Sequence, residues 1–246
     1  MLSEKLQEYL EEHSVTIGHE KDSFLVKDLI DKPALAKQMI QIQTQQMNQC
    51  TPIITGTIFG KRYSVLAMVF LDLYIKYGIL LDLQPSNVGI VLRNSGGMRY
   101  TLGENAIPLS KNLSSVQERM KMKVFIKDHL LPLFSAISKE TKSQESHMHS
   151  LVSHNFFQKS SALKESSPEQ SCLIDETLSF LLSEYGVRQK NGELYRHEYR
   201  LYSSPDEPEK FYLRNHCCLS YLLHDGDKNR CCRTCPLLSE DQRQKG

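Results

Sequence analysis

VGIVLRNSGGMRYTL, residues 88–102, is the stretch where the hydrophobic pattern of this 246-residue chain changes its period. Two short apolar runs, Val88–Leu92 and Met98–Leu102, flank the sequence Asn-Ser-Gly-Gly at 94–97, which is typical of a turn. This arrangement predicts a β-hairpin. Because helical periodicity precedes and follows it, we predict an α+β fold with a mostly helical body and a small hairpin or sheet.

Three helices are predicted ahead of the hairpin. The first has apolar residues at helical spacing, namely Leu2, Leu6, Tyr9 and Leu10. The second begins near Pro33, which suits the first turn of a helix, and continues to about Gln49. The third covers residues 64–77 and is almost wholly apolar, with Asp72 and Lys76 expected to pair across one turn.

Helical periodicity returns after the hairpin. It begins at about Ser114, and Pro132 is expected to interrupt it. The polar stretch 141–168 is predicted to form a helix between two loops. Apolar spacing from Leu173 predicts a further helix that ends at Gly186.

The spacing of apolar residues changes after Gly186 from a helical to an alternating pattern. Apolar and charged residues alternate over 195–201, which predicts a strand, and residues 204–208 are predicted to form a loop. We therefore expect two parts, a helical α+β body over residues 1–186 and a C-terminal cysteine-rich region over residues 187–246.

Charge and motif content exclude several functional classes. The 30 Lys and Arg residues nearly balance the 29 Asp and Glu residues, for a net charge of +1. A dedicated nucleic-acid binder usually has a clear basic excess, so we expect no nucleic-acid partner. The sequence contains neither the G-x-G-x-x-G pattern of dinucleotide binding nor the G-x-S-x-G pattern of serine hydrolases.

Residues 63–83 are the most apolar stretch, and the longest piece of it without a charge is 63–71. A membrane span needs about 20 consecutive apolar residues, so we predict a core helix and no membrane span. The first residues are acidic and lack the basic start and apolar run of a signal peptide. We therefore expect a cytoplasmic protein.

Cysteines give the strongest indication of chemistry. Five of the seven fall near the C-terminus, at positions 217, 218, 231, 232 and 235. Because the count is odd and a cytoplasmic location is expected, a disulfide framework is not predicted. Clustered thiols in a reducing compartment indicate a metal site or redox chemistry.

The spacing of these cysteines favours one kind of centre over another. Cys232 and Cys235 have the two-residue spacing that turns two sulfurs toward one metal site. Cys217 and Cys218 are adjacent, and adjacent side chains diverge in extended backbone, which is awkward for one small tetrahedral ion. A [2Fe–2S] cluster is a larger target and is favoured. A structural zinc site with four cysteine ligands and thiol redox chemistry without a metal stay open, as does Cys231 in place of Cys232.

The pattern R-x-x-C-C-L…C-x-x-C-P resembles the C-terminal signature of the FhuF-like ferric-siderophore reductases. In this chain it consists of Arg214, Cys217, Cys218, Leu219, Cys232, Cys235 and Pro236. The segment between the two cysteine pairs is longer here than in that family, and Cys231 is additional. The resemblance implies that Cys217, Cys218, Cys232 and Cys235 hold a [2Fe–2S] cluster.

The same resemblance implies a function. The substrate would be an Fe(III)-siderophore in the cytoplasm, and one-electron reduction would release Fe(II), which such chelators bind far more weakly. Because no nicotinamide or flavin fingerprint is present, we expect the electron to come from another protein, a ferredoxin or a flavodoxin. Two other functions stay open, a zinc-stabilised binding module and an iron–sulfur sensor or carrier without siderophore turnover.

Arginine and histidine side chains are further candidates for contact with a substrate or a metal. Many ferric siderophores are anionic, so Arg196, Arg200 and Arg214 are expected to bind substrate, unless they only balance the charge of a cluster.

The three histidines of the polar stretch are interpreted as part of a solvated helix rather than as metal ligands. They are His147, His149 and His154, and only His147 and His154 share a helical face.

Overall fold

The computed structural model describes residues 4–107, 113–185, 198–203 and 210–244, and most of these are helical. A π-helical segment, Phe125–Leu130, joins the fifth helix to the sixth. The helices are α1 (Glu4–Glu12), α2 (Val26–Asp31), α3 (Pro33–Gln46), α4 (Pro52–Tyr77), α5 (Ser115–Val124), α6 (Leu131–Thr141), α7 (Glu145–Ser166), α8 (Ser171–Tyr185) and α9 (Glu240–Gln244). The predicted helices α1, α3, α7 and α8 are thus confirmed. Gly186 and the predicted loop 204–208 lie outside the described residues.

The predicted hairpin is confirmed and forms the centre of a mixed four-stranded sheet of order β1-β4-β3-β2. Ile90 lies opposite Tyr100 in the antiparallel pair β3–β4, while β1 runs parallel to β4. A separate antiparallel pair, β5–β6, precedes the cysteines. The strands are β1 (Val15–Ile17), β2 (Phe24–Leu25), β3 (Val88–Leu92), β4 (Met98–Leu102), β5 (Leu201–Tyr202) and β6 (Phe211–Tyr212). The α+β class is therefore confirmed. The strand predicted over 195–201 is described only from residue 198, and of that part Leu201 alone lies in a strand, β5.

Helix α4 is the central element of the body and begins at Pro52, twelve residues ahead of the predicted start. It is buried on nearly all sides, so its first turns lack the alternation of faces that marks an amphipathic helix. A Cβ atom at Gly60 would lie only 2.6 Å from Met148 Cγ. The glycine therefore lets α7 pack closely against α4. In the described part of the chain, α4 included, no helix is long and apolar enough to span a membrane.

Polar contacts tie α4 to its neighbours. The predicted pair is confirmed, with Lys76 Nζ 3.1 Å from Asp72 Oδ1. Lys159 of α7 also reaches this buried carboxylate, at 2.9 Å from Oδ2. Hydrogen bonds from Tyr9 and from the lysines keep Asp72 charged in spite of its burial, and the net shift of its pKa is downward.

Pro132 follows an interruption of the regular α-helix, as predicted, because α5 ends at Val124 and the π-helical segment Phe125–Leu130 separates it from α6. The proline occupies the first turn of α6, where its missing N–H group costs no hydrogen bond. The preceding π-helical segment places His129 in the core, with its Nδ1 atom 2.6 Å from the carbonyl oxygen of Leu83.

The interpretation of the histidines of α7 as solvated is wrong. His149 is fully buried and His154 is 2% exposed, because α7 packs against α4 on one side and carries the C-terminal strands on the other. The Tyr199 hydroxyl donates to the Ser150 carbonyl at 2.8 Å. The polar composition of this helix reflects buried hydrogen bonds rather than exposure to water.

Candidate functional site

Backbone hydrogen bonds hold together the two halves of the cysteine segment, residues 210–244. The Arg214 amide donates to the Thr234 carbonyl at 2.9 Å and so joins the chain before the first cysteine pair to the chain before the last cysteine. The Cys235 amide donates to the Cys232 carbonyl at 2.7 Å, which closes the C-x-x-C turn. Leu219 has a φ of 62°, and the chain turns back immediately after the adjacent cysteines.

The structure brings together the four cysteines that the sequence singled out. The Sγ atoms of Cys217 and Cys235 are 3.5 Å apart, although they are 18 residues apart in the chain. The Cys218 sulfur contacts those of Cys217 and Cys232. Cys218 and Cys235 are each 1% exposed, while the other two are half-buried. The set is therefore continuous and partly accessible from one side.

Cys231 lies beside this set, and its thiol contacts Cys235. Burial raises the pKa of Cys231 to about 11. The assignment of Cys232 rather than Cys231 as a ligand remains a prediction, because both thiols lie within the same turn of chain.

Charge is shared unequally among the thiols. Hydrogen bonds from Cys217 and Cys232 lower the pKa of the Cys218 thiol, and the positive charges of Arg214 and Lys61 lower it further. The pKa of Cys217 is raised, first because its proton is held by Cys218. The local field therefore favours a thiolate at Cys218, the form of cysteine that binds metals.

Two cations from distant parts of the chain meet at these sulfurs. Lys61 of α4 places Nζ 3.4 Å from Cys232 Sγ. Arg214 is 5% exposed, and its guanidinium lies beside the thiols of Cys218 and Cys232. Burial lowers the pKa of Arg214, but the charges of these two cysteines outweigh that effect and the net shift is upward. Lys61 was missed in the sequence, because it lies ahead of the helix predicted over 64–77 and no local pattern connects it with the cysteines.

The three arginines expected to bind substrate have different positions. Arg214 lies against the thiols and is buried, which suits charge compensation better than contact with a substrate. Arg200 is exposed. Its carbonyl accepts a hydrogen bond from the Leu213 amide at 2.8 Å. Arg196 lies outside the described residues.

Helix α7 supports the cysteine segment through two histidines. The rings of His147 and His216 stack with centroids 4.1 Å apart, directly ahead of the first cysteine. One imidazole nitrogen of His154, Nε2, lies 2.7 Å from the Tyr212 carbonyl oxygen. The shared helical face of His147 and His154 is therefore the face toward the cysteines. His224, also near the cysteines, is exposed.

The donor set can be compared with what a metal centre requires. Among the residues that the structure describes, no group of three or more His, Cys, Asp or Glu side chains forms a ready site for one metal ion. Four thiols in contact nevertheless supply the number and type of ligands of a [2Fe–2S] cluster. The buried Nε and Nη2 atoms of Arg214 have no hydrogen-bond partner in the described part of the chain, and an anionic group beside the thiols would satisfy them.

No protein-family model matches the sequence, and no curated protein gives a significant match to it. Interpretation of the site therefore depends on its own residues. These are four converging thiols, two cations against them and an α7 face that packs against the segment.

Proposed function

We propose that this chain is a cytoplasmic ferric-siderophore reductase in which Cys217, Cys218, Cys232 and Cys235 hold a [2Fe–2S] cluster. The resemblance of the cysteine pattern to the FhuF-like family suggests this function, and the convergence of the four thiols supports it. When bound, the cluster would supply one electron at a time at low potential. Reduction of Fe(III) to Fe(II) consumes one electron and breaks no bond of the chelator.

The single observation that carries the proposal is the burial of Arg214 against sulfur. Burying a guanidinium is costly unless an opposite charge compensates it. Within the described residues the groups that compensate Arg214 are Cys218 and Cys232 rather than a carboxylate. A permanent negative charge at the thiols therefore explains why this arginine is inside.

The remaining roles follow from the same contacts. Arg214 and Lys61 offset negative charge at the cysteines, and more of it accumulates when an electron is added. The half-buried sulfurs of Cys217 and Cys232 leave one side of the site open to partners. The electron donor is proposed to be a ferredoxin or a flavodoxin, because the sequence lacks a nicotinamide or flavin fingerprint.

The test is the visible absorption spectrum of anaerobically purified protein before and after dithionite. We expect a brown protein whose charge-transfer bands bleach on reduction, and which then converts a ferric siderophore to Fe(II) trapped by a colorimetric chelator. Cys232→Ser should lose the colour. The matched control Cys231→Ser, one position earlier in the same turn, should keep it.

Other outcomes identify the alternatives. A colourless protein with stoichiometric zinc would replace the proposal with a zinc-stabilised binding module, which unfolds locally on chelation. A coloured protein that never reduces a ferric chelate, even when supplied with electrons, would be an iron–sulfur sensor or carrier.

A further inference from the structure

One side of strand β6 has no neighbouring strand in the described part of the chain. There β6 pairs with β5 alone, and the two form a separate two-stranded sheet. On the paired side, the Leu213 amide donates to the Arg200 carbonyl at 2.8 Å. Backbone groups alternate between the two sides of a strand, so those of Tyr212 point to the other side. They need partners there wherever water is excluded.

Helix α7 supplies these partners with two side chains. The Tyr212 amide donates to Gln158 Oε1 at 2.5 Å. His154 Nε2 lies 2.7 Å from the Tyr212 carbonyl oxygen, and this nitrogen is the donor because a carbonyl can only accept. His154 and Gln158 are four residues apart and therefore lie on one face of the helix. Together they bind both polar backbone groups of one residue, as a neighbouring strand would.

The same side of β6 leads directly to the thiols. Two residues beyond Tyr212, the Arg214 amide donates to the Thr234 carbonyl at 2.9 Å. The Arg214 guanidinium lies beside Cys218 and Cys232. A displacement of Tyr212 therefore reaches the buried arginine through a single intervening residue.

A hydrogen bond between helices fixes α7 at the level where it contacts β6. Asn155, next to His154, donates from Nδ2 to Ser64 Oγ of α4. Ser64 Oγ donates in turn to the Lys61 carbonyl at 2.5 Å. The two side chains that bind Tyr212 are thus attached to the central helix of the body.

We propose that His154 and Gln158 are positioning residues for the cysteine set. They take the place of a further strand beside β6 and thereby keep Arg214 against the thiols. Neither residue is a metal ligand in this role. The inference rests on the proposed function in one respect, because it assigns the negative charge that Arg214 compensates to a [2Fe–2S] cluster.

Backbone hydrogen exchange of the protein as purified tests this contact directly. His154→Leu removes the donor to the Tyr212 carbonyl, and Gln158→Met removes the acceptor of the Tyr212 amide. In either variant, exchange at the Tyr212 and Arg214 amides should become at least tenfold faster. His154→Gln keeps a side-chain N–H donor and should restore slow exchange. The Tyr100 amide, bonded to a carbonyl within the body, should keep its protection in all variants.

The proposed cluster gives a second readout, which a purely structural role would leave unchanged. When Arg214 is held less firmly, the midpoint potential should fall and the EPR lines of the reduced protein should broaden. The matched control is Gln45→Met, which makes the same chemical change at an exposed position of α3. It should leave the exchange rates, the potential and the EPR spectrum as in the wild type.

Two results would overturn the inference. One is wild-type exchange at Arg214 in both His154→Leu and Gln158→Met. The other is faster exchange at Tyr212 with an unchanged Arg214 amide and potential, since α7 would then only pack beside β6. If His154→Leu also exposes the Tyr100 amide, the variant is unfolded and Gln158→Met decides, because its side chain is only half-buried.

Failure of the proposed function would be distinguishable from failure of this inference. A colourless protein with bound zinc would reject the reductase, and the exchange rates would still test the contact. The rate of zinc release to a chelator then replaces the potential. Release at least fivefold faster from His154→Leu and Gln158→Met would support the positioning role, and release at the wild-type rate would reject it.

Discussion

Helix α4 and the cysteine segment differ in how much they bury and in the chemistry of the buried groups. Around α4 the buried groups are aromatic and aliphatic, and the rings of Phe59, Tyr63 and Phe134 pack on one another. In residues 210–244 the regular elements are the two-residue strand β6, two short helical turns and the five-residue helix α9. The buried side chains there are Phe211, Leu213, Arg214, Cys218, Cys235 and Arg243.

This difference indicates two sources of stability. The body has enough apolar surface to fold through the hydrophobic effect. The cysteine segment instead buries two arginines against sulfurs and carbonyl groups, which favours folding only if negative charge is present at the thiols. We therefore expect the body to be independent of a metal centre and the segment to depend on it.

Phe134→Ala should produce the largest effect and confine it to the body core. Phe134 is fully buried between Phe59, Tyr63 and His149. Removal of the ring should lower the free energy of unfolding by about 4 kcal/mol, measured by urea denaturation. The matched control is Met120→Ala on the exposed face of α5, where a change below about 0.5 kcal/mol is expected. Similar losses for both variants would contradict a body held by its core.

His129 should make the body sensitive to acid. Burial lowers the pKa of His129 from 6.5 to about 4. Between these two pH values the imidazole is therefore mostly protonated in the unfolded chain and mostly neutral in the folded chain. Stability should therefore fall as the pH drops from 6.5 to 4, by about 3 kcal/mol, and stay level with respect to this group above 6.5. Denaturation of His129→Gln across this range should show a shallower loss than the wild type. His224→Gln, at an exposed position, should follow the wild type.

Removal of the proposed metal centre tests the segment alone. Backbone hydrogen exchange should become at least tenfold faster at two amides. They are the Arg214 amide, whose bond to Thr234 joins the two halves of the segment, and the Cys235 amide, whose bond to Cys232 closes the C-x-x-C turn. The Tyr100 amide, bonded to the Ser14 carbonyl in the body, should keep its protection. Equal acceleration at all these amides would show that body and segment unfold together.

The comparison also explains what the sequence could predict. The hairpin 88–102 and the cysteine set depend on residues close together in the chain, so spacing was sufficient to find them. The contact of Lys61 with Cys232 joins residues 171 apart, and no local pattern marks it. The early start of α4 was missed because helix periodicity is lost when every face is buried. The polarity of α7 misled because polar side chains such as His154 face buried partners rather than water.

Lys61 is the residue through which the body acts on the segment, and its predicted effect is the smallest. Lys61→Met should remove a positive charge 3.4 Å from Cys232 Sγ while keeping the packing of the side-chain stem on α4. Adding an electron to the proposed cluster then becomes less favourable. The midpoint potential of that cluster should fall by an amount on the order of 50 mV, measured by spectroelectrochemical titration. Lys61→Arg keeps the charge and should return the potential close to the wild type. An unchanged potential in Lys61→Met would show that α4 only packs beside the cysteines, and that the body and the segment are electrically independent.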